Sequence, residues 1–208
     1  MKNTIIKDAI ALTIITLVAG ALLGLVYDVT KAPIAQAEYE KKQKAYQAVF
    51  ADATAFETNE EIQTKATSQE IFAEGVTGAY ISEVLEAKND AGEVLGYVMS
   101  FASKEGYGGE ISISMGVDLT GAITGVQVLS ASETAGLGAK CKDAEFVNQF
   151  TGIKDMTVTY TKTGKTNPNE IDAIGGATIT TKAVTNAINN ALAFVYNNTQ
   201  VTGEGANE

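Results

Sequence analysis

The sequence contains no histidine and only one cysteine, Cys141. These two residue types supply the usual ligands for zinc, iron–sulfur clusters and haem, so their scarcity argues against all three centres. A single cysteine cannot form an intramolecular disulfide, and without histidine neither a Ser-His-Asp triad nor a Cys-His pair can be assembled. We therefore expect an organic cofactor for any redox chemistry, and an ordinary thiol at Cys141, either buried or at the surface.

Basic residues are also scarce, because 15 Lys and Arg stand against 25 Asp and Glu and give a formal net charge of -10. Nucleic-acid binding depends on Lys and Arg that neutralise phosphates, so nucleic acid is not an expected partner. Hydrophobic residues make up 45% of the 208 positions. That share is enough for one good-sized core, or for one core and a membrane anchor.

Charge is absent altogether from residues 9–27, which are mostly apolar. At about 1.5 Å per residue, a helix of this length nearly matches a hydrocarbon core of about 30 Å. We therefore predict a short tail over residues 1–8 and a transmembrane helix in the lipid bilayer over residues 9–27. A signal peptide cleaved near residues 19–21 is the alternative, but the apolar run through residue 26 favours an uncleaved anchor. Lysines on both sides of the span leave its orientation open.

The segment after the anchor is predicted to connect it to a domain. Pro33 is expected to break the chain, residues 34–50 have the pattern of a charged helix, and residues 52–69 form a polar stretch. We assign residues 28–70 to this connecting helix and linker.

The remainder has the pattern of short strands in antiparallel pairs and two helices. Four strands are predicted over residues 81–87, 95–102, 110–118 and 123–129. Asp143 is expected to cap a short helix that buries Phe146, Val147 and Phe150. A further strand is predicted from the alternation of Met156, Val158 and Tyr160, and a terminal helix from Val184, Ile188, Ala191, Leu192 and Val195. These elements predict an α+β domain over residues 71–197, with an antiparallel sheet covered by helices, and a polar, frayed tail over residues 198–208.

The segment Asp-Ala-Ile-Gly-Gly-Ala-Thr-Ile-Thr at residues 172–180 precedes the terminal helix. A helix amino terminus attracts anions because its first N–H groups have no intrahelical partner. Gly175 and Gly176 can adopt positive φ and let the backbone approach a ligand, while Thr178, Thr180 and Thr181 offer hydroxyls at capping positions. An ordinary junction between a loop and a helix has the same composition, so the residues alone leave both interpretations open.

This segment resembles the flavinylation motif of the FMN-binding domain family, which occurs in RnfG of Rnf complexes and in NqrC of the sodium-pumping NADH:quinone reductase. The family motif is Asp, two variable residues, Ser or Thr, Gly-Ala-Thr, one variable residue, and a final Thr or Ser that receives FMN through a phosphoester. The resemblance implies covalent FMN on Thr180. It also implies cofactor-binding roles for the rest of the motif, namely Asp172, Gly175, Gly176, Ala177 and Thr178. Gly175 departs from the family, which usually has Ser or Thr there.

Two upstream segments strengthen the resemblance. Residues 132–138 are similar to the family loop Glu-Thr-Pro-Gly-Leu-Gly, with Ala135 in place of proline, and Gly-Tyr-Gly-Gly at residues 106–109 is a third match. The first loop implies cofactor contacts from Glu133, Thr134, Leu137 and Gly138, although a surface turn is the plainer interpretation. Tyr107 is a candidate to stack on the flavin or simply to pack, and Lys140 is a candidate to lie near the phosphate or merely to be solvated.

The resemblance implies an electron carrier within a membrane complex that moves electrons between reduced ferredoxin and NAD and couples this to Na+ or H+ movement. Its implied partners are the other proteins of that complex and a separate flavin transferase that attaches FMN. The family pattern places the soluble domain on the extracytoplasmic side. An NqrC-like role on a route to quinone is the nearest alternative, and a membrane-tethered binding module without redox function is an alternative from another class.

Overall fold

The computed structural model describes residues 2–68 and 71–202. The chain divides into two compact units, Met1–Gln43 and Lys44–Glu208. We describe each unit by itself.

Helix α1, Lys2–Val49, is continuous over 48 residues and has Pro33 inside it. The predicted break at Pro33 is therefore wrong. A proline removes one backbone hydrogen bond, and the alanine, glutamine, glutamate and lysine residues that follow are strong helix formers that continue the helix. Mean hydropathy reaches 2.5 in an 18-residue window of Ile6–Val49, and none of that window is buried. The helix is long and apolar enough to cross a bilayer.

A five-stranded antiparallel sheet, in the order β1-β2-β3-β4-β5, organises the second unit. Its strands are β1 Ala55–Thr58, β2 Ala79–Lys88, β3 Val94–Gly106, β4 Gly109–Asp118 and β5 Ile123–Ala131. The four predicted strands are confirmed as β2 to β5. The stretch predicted as a polar connector over residues 52–69 instead holds β1 and helix α2, Glu60–Ser68. Only Ile62 and Ala66 of α2 are buried, and two apolar positions give too weak a pattern to predict a helix.

The chain after the sheet forms short elements and a long final helix. They are a 3-10 turn at Gly138–Lys142, α3 Ala144–Val147, a second 3-10 turn at Asn148–Phe150, β6 Thr159–Thr161, β7 Glu170–Asp172 and α4 Thr178–Asn198. The helix predicted after Asp143 is confirmed, although Asp143 makes no side-chain cap.

Strand β6 is shorter than predicted and pairs differently. It pairs with β7 in parallel, not antiparallel, and contains only Tyr160 of the three alternating residues. The Asn189 side chain explains the shortening, because its Oδ1 accepts from the Val158 N–H at 2.8 Å and its Nδ2 donates to the Val158 carbonyl at 3.0 Å. The backbone groups of Val158 are thereby taken by α4.

The main core lies between one face of the sheet and α4, whose five predicted apolar residues are all buried. The tail is ordered further than predicted. Val201 is only 3% exposed, and the Thr202 N–H donates to the Leu119 carbonyl at 3.0 Å. One apolar residue in a polar segment is therefore enough to hold the tail against the core through Thr202. The remainder of the predicted tail, residues 203–208, lies outside the described residues.

The last turn of α1 packs on the opposite face of the sheet, where Tyr46, Val49 and Phe50 are buried. Two strand glycines make room for it. A Cβ on Gly116 would come within 2.5 Å of the Val49 carbonyl oxygen, and one on Gly125 within 3.0 Å of the Val49 Cα. Residues ahead of the predicted domain start at residue 71 thus contribute to the second unit.

Candidate functional site

The amino terminus of α4 forms one wall of the site. The residue before the helix is Ala177, which has no side-chain cap, so the prediction that threonine hydroxyls cap this helix is wrong. Gly176 adopts a φ of 76°, as expected, whereas Gly175 is not among the glycines with positive φ. The first-turn N–H groups are therefore free of side-chain caps and available to an anion.

The three threonines of this segment have different environments. The Thr181 hydroxyl is buried, accepts from the Ile174 N–H at 3.1 Å and donates to the Ala177 carbonyl at 3.0 Å. It therefore ties the Gly-Gly-Ala turn to the helix. Thr178 is the first helical residue and is partly exposed. Thr180 is 1% exposed, and its hydroxyl donates to Glu133 Oε2 at 2.8 Å.

Glu133 links the β5 loop to both other parts of the site. Its Oε2 accepts from Thr180, and its Oε1 accepts from the Gly108 N–H at 3.1 Å in the β3–β4 turn. Gly138 faces this pair closely, because a Cβ there would come within 2.6 Å of Thr180 Oγ1 and closer still to Glu133 Oε2. A side chain at this position would force the two residues apart.

A cavity of about 480 Å³ opens between these elements. It is lined by Tyr107, Glu133, Thr134, Leu137, Gly138, Gly176, Ala177, Thr178, Ile179 and Thr180. All three sequence segments that carry the family resemblance therefore meet in one place. Its volume is in the usual range for small-molecule and cofactor sites.

The rim of this cavity is apolar and exposed. Tyr107 is 70% exposed, Leu137 is 44% and Ile179 is 54%. Ile179 was not predicted as a site residue. Its signal in the sequence is an apolar residue in the first turn of a helix, between two threonines, and that pattern is equally typical of a packing residue.

Three predicted site residues lie outside the cavity lining. Lys140, Asp172 and Gly175 line a separate depression of about 190 Å³. Asp172 Oδ1 accepts from the Lys165 N–H at 2.8 Å, and Lys140 is exposed. A larger depression of about 610 Å³, lined by residues 152–156, 168 and 169, includes none of the motif residues.

Cys141 is buried in the 3-10 turn that follows the Glu133 loop. Burial, and then the negative charge of Glu133, raise the pKa of its thiol to about 11. The thiol therefore stays protonated at neutral pH and behaves as the ordinary buried cysteine that the sequence predicted.

Comparisons with known proteins agree with the sequence resemblance. The model of the FMN-binding domain matches residues 106–193, and that of the RnfG N-terminal region matches residues 1–49. The RnfG protein of the Na+-translocating ferredoxin:NAD+ oxidoreductase complex of Acetobacterium woodii is 35% identical over 94% of this chain and 93% of its own. The corresponding protein of an ion-translocating oxidoreductase complex of Methanosarcina acetivorans is 31% identical over 93% and 96%, respectively.

A solved structure shares the fold. It is the NqrC protein of the Na+-translocating NADH-quinone reductase of Parabacteroides distasonis, with a TM-score of 0.52 and 23% identity, and the match covers 81% of this chain and 96% of that one.

Proposed function

This chain belongs to the RnfG family of ion-translocating oxidoreductase complexes, and we propose from that premise that it carries FMN on Thr180 through a phosphoester. It is a membrane-anchored component of a redox complex, with an FMN-binding domain and one candidate membrane helix among the described residues. Its function is to pass electrons between other components of a ferredoxin:NAD+ oxidoreductase.

The observation that carries this proposal is the placement of the Thr180 hydroxyl. It lies in the wall of the cavity, on the third residue of α4, and is held by Glu133 at 2.8 Å. A phosphate joined to Thr180 would sit beside the first-turn N–H groups, where the helix dipole stabilises negative charge. Thr181 uses its hydroxyl to close the turn, which leaves Thr180 as the buried hydroxyl best placed for attachment.

The apolar rim suits the ring system of a flavin. Tyr107, Leu137 and Ile179 together offer exposed apolar surface next to Thr180, and burying such surface against an isoalloxazine ring is favourable. Bound FMN would supply the electron-accepting and electron-donating chemistry. The residues of this chain would hold its phosphate, orient the ring and keep water from one side of it.

The electron-transfer role can be tested in the assembled complex. We expect Thr180→Val to leave the complex assembled but to abolish electron flow from reduced ferredoxin to NAD+, because valine keeps the shape and removes the hydroxyl. Thr157→Val, at an exposed position outside the cavity, is the matched control and should retain activity. An assembled Thr180→Val complex that transfers electrons at the wild-type rate would contradict the proposal.

The alternatives predict other results. A protein with an NqrC-like role would support electron transfer to quinone and not to NAD+. A binding module without redox function would lose any yellow colour and flavin fluorescence when denatured. The RnfG relatives favour the ferredoxin:NAD+ assignment.

The domain is proposed to lie on the extracytoplasmic side of the membrane. Cys141 is buried and gives little labelling background, so Asp90→Cys in the exposed β2–β3 turn provides a reporter. A membrane-impermeant maleimide should label this variant in intact cells and leave the wild type unlabelled. Labelling of Asp90→Cys only after permeabilisation would mean that the domain is inside.

A further inference from the structure

The Glu133 carboxylate is fixed at both of its oxygens, and one of them holds the proposed attachment atom. We propose that Glu133 positions the Thr180 hydroxyl and accepts its proton when the phosphoester forms. This inference rests on the proposed function and adds a group that makes the attachment possible.

The geometry fixes the hydroxyl in one orientation. The Gly108 N–H donates to Glu133 Oε1 at 3.1 Å, and the Thr180 hydroxyl donates to Oε2 at 2.8 Å. A hydrogen bond to an ionised carboxylate is stronger than one between neutral groups, so it selects one rotamer of Thr180. With the proton directed at Glu133, an oxygen lone pair is left free for bond formation.

A threonine hydroxyl is a weak nucleophile unless a neighbouring base takes its proton. The donor in this step is an FMN phosphoanhydride, that is, a flavin dinucleotide brought by a separate transferase. A bond forms between Thr180 Oγ1 and the FMN phosphorus as the anhydride P–O bond breaks. The leaving nucleotide phosphate keeps that electron pair, and the Thr180 proton passes to Glu133. The observed 2.8 Å lies within the reach that proton transfer requires.

Gly138 supports this assignment. A Cβ at residue 138 would come within 2.6 Å of Thr180 Oγ1 and would collide with Glu133 Oε2. The loop thus approaches the pair so closely that only glycine leaves the Glu133–Thr180 hydrogen bond undisturbed.

The test measures attachment itself. The flavin-free full-length chain in detergent is incubated with a flavin transferase and flavin adenine dinucleotide, and covalent flavin is followed by intact mass. Glu133→Gln keeps an acceptor oxygen and the side-chain shape but cannot take up the proton. We expect its maximal attachment rate to fall roughly 10²–10⁴-fold, the usual contribution of a general base, with little change in the KM for the acceptor chain.

Two further variants separate proton transfer from structure. Glu133→Asp retains the base on a shorter side chain and should recover part of the rate. Glu145→Gln removes an exposed carboxylate outside the cavity and should attach flavin at the wild-type rate. Gly138→Ala should slow attachment because it displaces the pair, and it serves if Glu133→Gln fails to fold.

Attachment within about threefold of wild type in folded Glu133→Gln would overturn the inference, because a general base contributes far more than that. Gly138→Ala at the wild-type rate would overturn it as well. Either result, with flavin still on Thr180, leaves the proposed function intact. Covalent flavin in Thr180→Val would instead contradict the proposed function.

Discussion

Thr181 is expected to be structural, although it lies next to the proposed attachment residue. Its buried hydroxyl accepts from the Ile174 N–H and donates to the Ala177 carbonyl. Thr181→Val keeps the shape and removes both bonds. The Ala177 carbonyl retains the Thr181 N–H at 3.0 Å, so the main loss is the acceptor for the Ile174 N–H. A buried donor left without a partner costs about 1–3 kcal/mol.

The assay is unfolding of the full-length chain in detergent. We expect Thr181→Val to lower the free energy of unfolding by about 1–3 kcal/mol, or the midpoint temperature by roughly 3–9 °C for a domain of this size. Thr178→Val, at a partly exposed position, is the control and should stay within about 0.5 kcal/mol of wild type. A Thr181→Val protein as stable as the control would refute the idea that this hydroxyl holds the turn.

Three further predictions concern packing and protonation. Gly116→Ala should lower the free energy of unfolding by about 1–3 kcal/mol because its Cβ meets the Val49 carbonyl, whereas Gly175→Ala, with open space around it, should be neutral in the same unfolding assay. With its pKa raised to about 11, Cys141 should be thiolate in roughly one molecule per thousand at pH 8, so iodoacetamide should modify it slowly until the protein is denatured, and rapid alkylation of the folded chain would contradict this. Hydrogen bonds from the Thr166 backbone and from Asn167 lower the pKa of Glu170 to about 2, so this carboxylate stabilises the fold above its unfolded pKa of about 4.3, and the difference in midpoint temperature between wild type and Glu170→Gln should shrink as the pH falls from about 5 to 2.

The elements that could be predicted from the sequence are those with a clear period. Alternation of apolar residues marked strands β2 to β5, and helical spacing marked α4. The convergence of three segments on one cavity followed from the family resemblance, and the structure brings nine of the twelve predicted site residues together there.

The remaining features depend on contacts that a sequence pattern does not contain. The shortened β6 results from a side chain of α4, and the order of the tail results from one buried valine, Val201. The packing of α1 on the sheet depends on glycines, whose contribution is the absence of a side chain. The pairing of Thr180 with Glu133 joins residues 47 positions apart and is visible only in three dimensions.

The central claim is that FMN is joined to Thr180, and peptide mass mapping of the mature full-length protein tests it most directly. The account predicts one peptide that carries the mass of an FMN phosphoester, with fragment ions that place it on Thr180, and no covalent flavin in Thr180→Val. Flavin mapped to Thr178 or Thr181, or retained in Thr180→Val, would contradict it.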